Sequence, residues 1–199
     1  MLEVTFHTSE KLTGDARSGL VRFENGFTLI ELLITVAIAA VAMMVGVPSF
    51  VQFIRSANLS DAVGHFMTAS NSARAQAMKT GLNTYLIPKV AANGWGSGWM
   101  VYADKNWNAA YDSGTDELVI QHDAVSTDIT TTTTGASGGP NTLVNGYLLF
   151  NGSGFPRLSS GGFANGSITF ATVDRSSVII FDQTGRLRAC TIKPGVVCP

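Results

Sequence analysis

Three groups of side chains in this chain have the types and spacing to do chemistry. The first is a single carboxylate. Glu31 stands near the start of "GFTLIELLITVAIAAVAMMVGVPSFVQFI" (26–54), and residues 27–54 carry no other charge. A carboxylate near a bilayer interior is costly unless it finds a partner or a proton, so it marks a function by default. The second group is basic. In "TGRLRACTIKPGVVCP" (184–199), Arg186, Arg188 and Lys193 occur with no acidic side chain between Gln183 and the end. Two arginines two positions apart on an extended segment point the same way. Arginine makes forked contacts to phosphate, and Gly185 lets a backbone come close. The alternative is a hairpin turn whose arginines are merely solvated.

The third group is rich in oxygen donors. Asp104, Asn106, Asn108 and Asp112 alternate somewhat as calcium ligands do. Ala109 and Thr115, however, occupy the positions where an EF-hand loop places glycine and glutamate. A turn built on Asx side chains accounts for the composition as well, and no metal is expected. His65 and His122 have no nucleophile or metal-ligand spacing around them, so neither an enzyme nor a cofactor is expected. Trp95, Trp99 and Trp107 could stack on bases of a single strand. Trp99 sits in an apolar run and reads as core; the other two stay open.

These residues need elements to hold them. As one helix, 27–54 would be roughly 42 Å long, more than the ~30 Å of a hydrocarbon core. A secretory signal has a shorter apolar region and a small-residue cut, so a single-pass anchor near the amino terminus is the better reading. Arg17 and Arg22 precede it, which keeps the amino terminus cytoplasmic and sends the remainder across. Pro48 should kink the helix or melt a turn. Beyond it, Leu59, Val63, Phe66, Ala69, Ala73 and Ala77 fall three or four apart, one apolar helical stripe that Arg55, Asp61, His65 and Arg74 largely avoid. Gly81 is a natural stop, so one helix is expected from about 28 to 80.

The remainder reads as short β-branched and aromatic strands with Gly, Asn, Asp and Pro turns between them. They are 83–90, 98–104, 117–123, 146–151, 167–172 and 176–182. Six strands against one helical stripe make an α+β head. "STDITTTTTGASGGPNT" (126–142) is low-complexity, a β-rich mobile loop or a glycan-bearing stalk. The chain has 199 residues, a charged fraction of 14% and a net charge of −1, so any pull on nucleic acid must come from a local patch. Cys190 and Cys198 are the only cysteines. In an exported, oxidising setting they are expected to pair, closing the tail into a loop.

Gly26-Phe27-Thr28-Leu29-Ile30-Glu31 followed by an unbroken apolar helix resembles the processing site of type IV prepilins and type II secretion pseudopilins. The resemblance implies that a prepilin peptidase removes residues 1–26 (His7 with them) and that Phe27 is then N-methylated. Glu31 becomes the fifth residue of the mature chain and meets the terminal ammonium of a neighbouring subunit during assembly. The head is similar to the FimT/GspH subgroup, "GWMVYADKNWNAAYDSGTDELVI" (98–120) matching its strand followed by an Asp/Asn-rich loop. That implies a type IV pilin-like fold, a long helix packed on an antiparallel β-sheet head. The domains would be a leader (1–26), a transmembrane and filament-core helix (27–54) and a head (55–199, helix to 80 and sheets over 82–199). Other pilin subunits would be its partners. It would sit in the bacterial inner membrane with a periplasmic head, then in an extracellular filament. Gly185-Arg186-Leu187-Arg188 resembles the G-R-x-R motif associated with DNA binding in FimT-type minor pilins. DNA uptake in natural transformation is therefore the expected role, with Gly185, Arg186, Arg188 and Lys193 as contacts. A GspH-like pseudopilin or pilus-assembly initiator that ignores DNA is the alternative.

Overall fold

The computed structural model describes residues 26–134, 142–143 and 146–192. The chain divides after Met44 into two compact units. A single helix, α1 (Leu29–Thr80), contributes to both, with Pro48 inside it.

In the first unit, Thr28 caps α1. The Glu31 N–H donates to Thr28 Oγ1 at 3.2 Å, and the Leu32 N–H donates to the Thr28 carbonyl at 3.1 Å. Thr-x-x-Glu is the sequence of a capping box, in which a threonine oxygen satisfies one of the orphan amides of the first turn. The apolar side chains that follow are bare: Phe27 and Leu29 are each 76% exposed. The helix is long and apolar enough to cross a membrane, by length and composition.

In the second unit, apolar side chains stay exposed as far as Ile54, and the first buried one is Leu59. From there the expected stripe forms. Leu59, Phe66, Ala69, Ala73 and Ala77 are buried, with Val63 packed against the same core. The alanines admit the sheets close to the helix axis. Phe66 fills the wider space, meeting Trp95, Trp99 and Phe170 edge-on at 5.3 to 5.6 Å between ring centres. Pro48 leaves the helix assignment unbroken, so no turn melts there.

Among the described residues nine strands follow: β1 (Thr84–Pro88), β2 (Trp99–Ala103), β3 (Glu117–His122), β4 (Thr130–Thr134), β5 (Leu148–Phe150), β6 (Pro156–Arg157), β7 (Gly166–Ala171), β8 (Ser176–Phe181) and β9 (Leu187–Ile192). They form two antiparallel sheets, ordered β3-β2-β1-β5-β6 and β4-β7-β8-β9. One core unites α1 with Leu86, Trp99, Val101, Leu148 and Phe150 of the first sheet and Ile168, Phe170, Ile179 and Phe181 of the second. The opposite face of the first sheet buries Tyr85, Tyr102 and Leu149. β7 and β8 alternate buried and half-buried residues, as strands with one face on a core must.

All six expected strands are present. Three more are added: β4, β6 and β9. The segment 126–142 is thus not wholly a loop. Its threonines Thr130–Thr134 pair in register with β7, Thr132 opposite Thr169. β-Branched residues suit a pleated, half-buried edge, and here that preference prevails over low complexity. A short 3-10 segment, Ala91–Ser97, carries Trp95, which is buried and donates its Nε1–H to the Leu143 carbonyl at 3.1 Å. Trp99 is fully buried, and Trp107 is exposed.

Candidate functional site

The basic group lies on the β8–β9 hairpin. The Gly185 N–H donates to the Asp182 carbonyl at 3.0 Å, and the Asp182 N–H donates to the Arg186 carbonyl at 3.2 Å. Gly185 takes φ +80°, which an L side chain resists, and it is buried. A Cβ there would lie 2.8 Å from the Gly154 carbonyl oxygen. The close approach that Gly185 permits in this fold is to its own chain, in the turn before β6. Gly185 therefore shapes the turn.

Arg186 and Arg188 are both exposed, and Leu187 between them packs against the core. Arg186 lies just before β9 and Arg188 within it, opposite Ile180. The arginines thus stand exposed on a hairpin. Among the described residues neither arginine makes an ion pair within 4.0 Å. Asp182 nonetheless adds a carboxylate one residue ahead of the acid-free stretch. Its Oδ1 accepts hydrogen bonds from the Thr184 N–H at 2.9 Å, the Thr184 hydroxyl at 2.5 Å and the Arg186 N–H at 3.1 Å. Burial pulls its pKa upward; those bonds and the nearby Arg188 charge outweigh it and hold the carboxyl below its usual value.

α1 reaches this turn through Arg74. Nη1 donates to the Gly185 carbonyl at 2.9 Å and Nη2 to the Thr184 carbonyl at 3.2 Å. Sequence spacing placed Arg74 off the apolar stripe and could say no more, because its partners lie 110 residues or more along the chain. Thr28 carried a legible signal, the Thr-x-x-Glu spacing, which marks the helix start as well as the processing motif. Lys193 and Cys198 lie outside the described residues, as does residue 1–25 of the leader. Cys190 is on β9, opposite Val178.

The Asp/Asn-rich loop turns inward on itself. Asp104 is buried, its Oδ1 accepting from the Trp107 N–H at 2.7 Å and the Asn108 N–H at 3.3 Å, its Oδ2 from the Ala109 N–H at 3.0 Å. Asp112 Oδ2 accepts from the Asn106 and Asn108 side-chain amides. Asp116 accepts from the Lys105 and Asp112 N–H groups. These carboxylates hold a loop in which Trp107 and Ala109 adopt positive φ. Tyr102, beneath the loop, has its pKa raised by burial and then by the charges around it, Asp104 among them.

His65 and His122 come together, with ring centres 4.8 Å apart. His65 Nε2 is 3.3 Å from Asp61 Oδ1, and His122 stacks on Trp99 at 4.3 Å. Among the described residues no group of three or more His, Cys, Asp or Glu is arranged to hold a metal ion.

Comparison with known proteins places this architecture. The profile of the family described as Type II transport protein GspH matches residues 62–185, more than half of the chain. A prokaryotic N-terminal methylation motif matches residues 22–47. The crystal structure of the type IV minor pilin FimU of Pseudomonas aeruginosa superposes with a TM-score of 0.50 at 16% identity, covering 68% of this chain and 90% of that one. The minor pseudopilin EpsH from the Type 2 Secretion System of Vibrio cholerae superposes at 0.45, with 12% identity over 70% of this chain and 99% of that one. No curated protein matches the sequence. With its methylation motif, capped apolar helix and two-sheet head, the chain belongs to the GspH family of type IV prepilin-like proteins.

Proposed function

We propose that this protein is a minor type IV pilin of FimT type whose head binds DNA without sequence preference for uptake in natural transformation. Prepilin peptidase cuts after Gly26, and Phe27 becomes the N-methylated terminus. Residues 27–54 anchor the chain in the inner membrane with the head in the periplasm until the subunit joins a filament. There Glu31 is neutralised by the terminal ammonium of its neighbour, a buried pair that sets register more than it adds stability. Membership in the family and the methylation motif support the filament role.

One observation carries the DNA reading: Arg186 and Arg188 are both exposed on one hairpin, with no ion-pair partner among the described residues to compete with phosphate. Lys193 adds a third base nearby in sequence. A bond between Cys190 and Cys198 would keep it there, adding roughly 2–3 kcal/mol by closing the loop. The absence of a free cysteine among the described residues supports that bond. Two or three neutralised phosphates give weak binding whose log–log salt slope is about −2 to −3 on duplex DNA. Several copies in one pilus raise the avidity.

A second reading has its own support, since the family is described by type II transport. On that reading the subunit is a minor pseudopilin or assembly initiator, and the arginines are solvated or face another subunit. Duplex binding by the full chain in detergent micelles, across a salt series and beside Arg186→Ala/Arg188→Ala, separates the two. Binding that weakens with salt at that slope and disappears in the double variant supports DNA uptake. No binding at low salt, or binding indifferent to the substitutions, leaves the pseudopilin reading.

A further inference from the structure

The turn that carries Arg186 is held from below by a cation with no ion-pair partner among the described residues. Arg74 donates to the Gly185 and Thr184 carbonyls, and no carboxylate is within ion-pair distance of it among the described residues. Its Nε is buried without a hydrogen-bond partner. Three segments converge on it. A Cβ on Gly185 would lie 3.2 Å from Arg74 Cζ, and one on Gly154 would lie 3.3 Å from Arg74 Nε and 2.7 Å from Met78 Sδ. Glycines at 154 and 185 thus make the room in which the guanidinium reaches two carbonyls at once.

An arginine that served only to join helix to hairpin would be expected to take Asp182, the one carboxylate of that turn. Asp182 instead spends its Oδ1 on Thr184 and Arg186. Carbonyl oxygens accept hydrogen bonds without cancelling charge, so Arg74 keeps its full positive charge beneath Arg186 and Arg188. Near a half-buried surface such a charge is screened less than an exposed one.

We infer that Arg74 is the positioning residue of the cationic surface: it fixes the Asp182–Arg186 turn and adds an uncancelled charge behind it. This rests on the DNA reading above for its consequence, and on the geometry alone for the clamp. Planarity matters here. Arginine presents a rigid fork to two acceptors, whereas a lysine ammonium supplies the charge as a point and holds one carbonyl well at best.

The test uses the full chain in detergent micelles: wild type, Arg74→Gln, Arg74→Lys and Arg186→Ala/Arg188→Ala. Hydrogen exchange is read on peptides covering 182–188 and, as a control, 166–171. Binding of a short random-sequence duplex is read across a potassium chloride series. Arg74→Gln is expected to speed exchange in 182–188 and leave 166–171 unchanged. It should also weaken duplex binding roughly tenfold at low salt. Arg74→Lys should restore the affinity but not the slow exchange. Unchanged exchange at 182–188 in Arg74→Gln would overturn the clamp. Wild-type affinity in Arg74→Gln, with binding abolished in the double variant, would overturn the contribution to the surface while leaving the DNA reading intact. If the wild type binds no duplex, the DNA reading fails by itself, and the exchange result still decides the clamp.

Discussion

Asp182 shows how one side chain can set the geometry of a turn. Its carboxylate gathers the Thr184 and Arg186 amides, and the turn then presents Arg186 outward. The same bonds give the turn a pH dependence. Because the folded-state pKa is depressed, the stabilisation is complete above the unfolded value near 3.9 and is lost as pH falls through the lower folded value. Urea unfolding midpoints of wild type and Asp182→Asn should therefore differ at neutral pH and converge below about pH 4. A gap that persists at acid pH would mean the asparagine disturbs the turn by some route other than charge. Gly185 complements this residue, since its positive φ and contact with Gly154 leave no room for a side chain.

Among the elements, α1 does two jobs with two compositions. Up to Ile54 it is apolar all round and exposed, a face for lipid or for other helices; from Leu59 it is amphipathic and packs the head. Phe66 is the central contact, touching three aromatic rings drawn from the 3-10 segment, β2 and β7. Truncating it should open a cavity that none of these can fill. Phe66→Ala is expected to cost about 3–5 kcal/mol, read as a lowered denaturation midpoint with an unchanged slope. A loss under about 1 kcal/mol would show that the rings collapse inward and that the packing is less specific than it looks. The edge strand β4 makes the opposite point. Thr130–Thr133 are exposed or half-buried, and the strand is held mainly by its ladder with β7.

For the whole molecule, the proposed processing and assembly steps can be read on the mature chain. Intact-mass measurement on protein from cells with the peptidase should find a chain beginning at Phe27, one CH2 heavier than its sequence for the N-methylation and two hydrogens lighter for the proposed Cys190–Cys198 bond. Gly26→Leu should keep residues 1–26 attached and stop incorporation into filaments, while the head still folds. A mature chain that begins elsewhere would break the analogy at its most specific point. Glu31→Gln separates processing from assembly: cleavage should continue, and filament entry should fall.

Much of this protein was legible in the sequence because the governing signals are local. Periodicity of 3.6 marked the buried stripe of α1 from Leu59 to Ala77, since a helix must turn one face to a core. Runs of β-branched and aromatic residues marked six strands, and glycine, aromatic, Thr-Leu-Ile and glutamate before an apolar run marked the family. Thr28, three residues before Glu31, caps α1 by accepting the Glu31 backbone N–H, a helix start that the Thr-x-x-Glu spacing marks. What lay beyond reading was set by partners distant along the chain. β4 becomes a strand because β7 offers it a ladder, and β9 because β8 does. That Gly185 lies against Gly154 could not be read from spacing, since the two meet only through the fold. Arg74 reads as a solvated helix charge until the hairpin folds back over it, some 110 residues later. Sequence spacing determined which residues share a face; only tertiary packing decided which faces, carbonyls and charges they would meet.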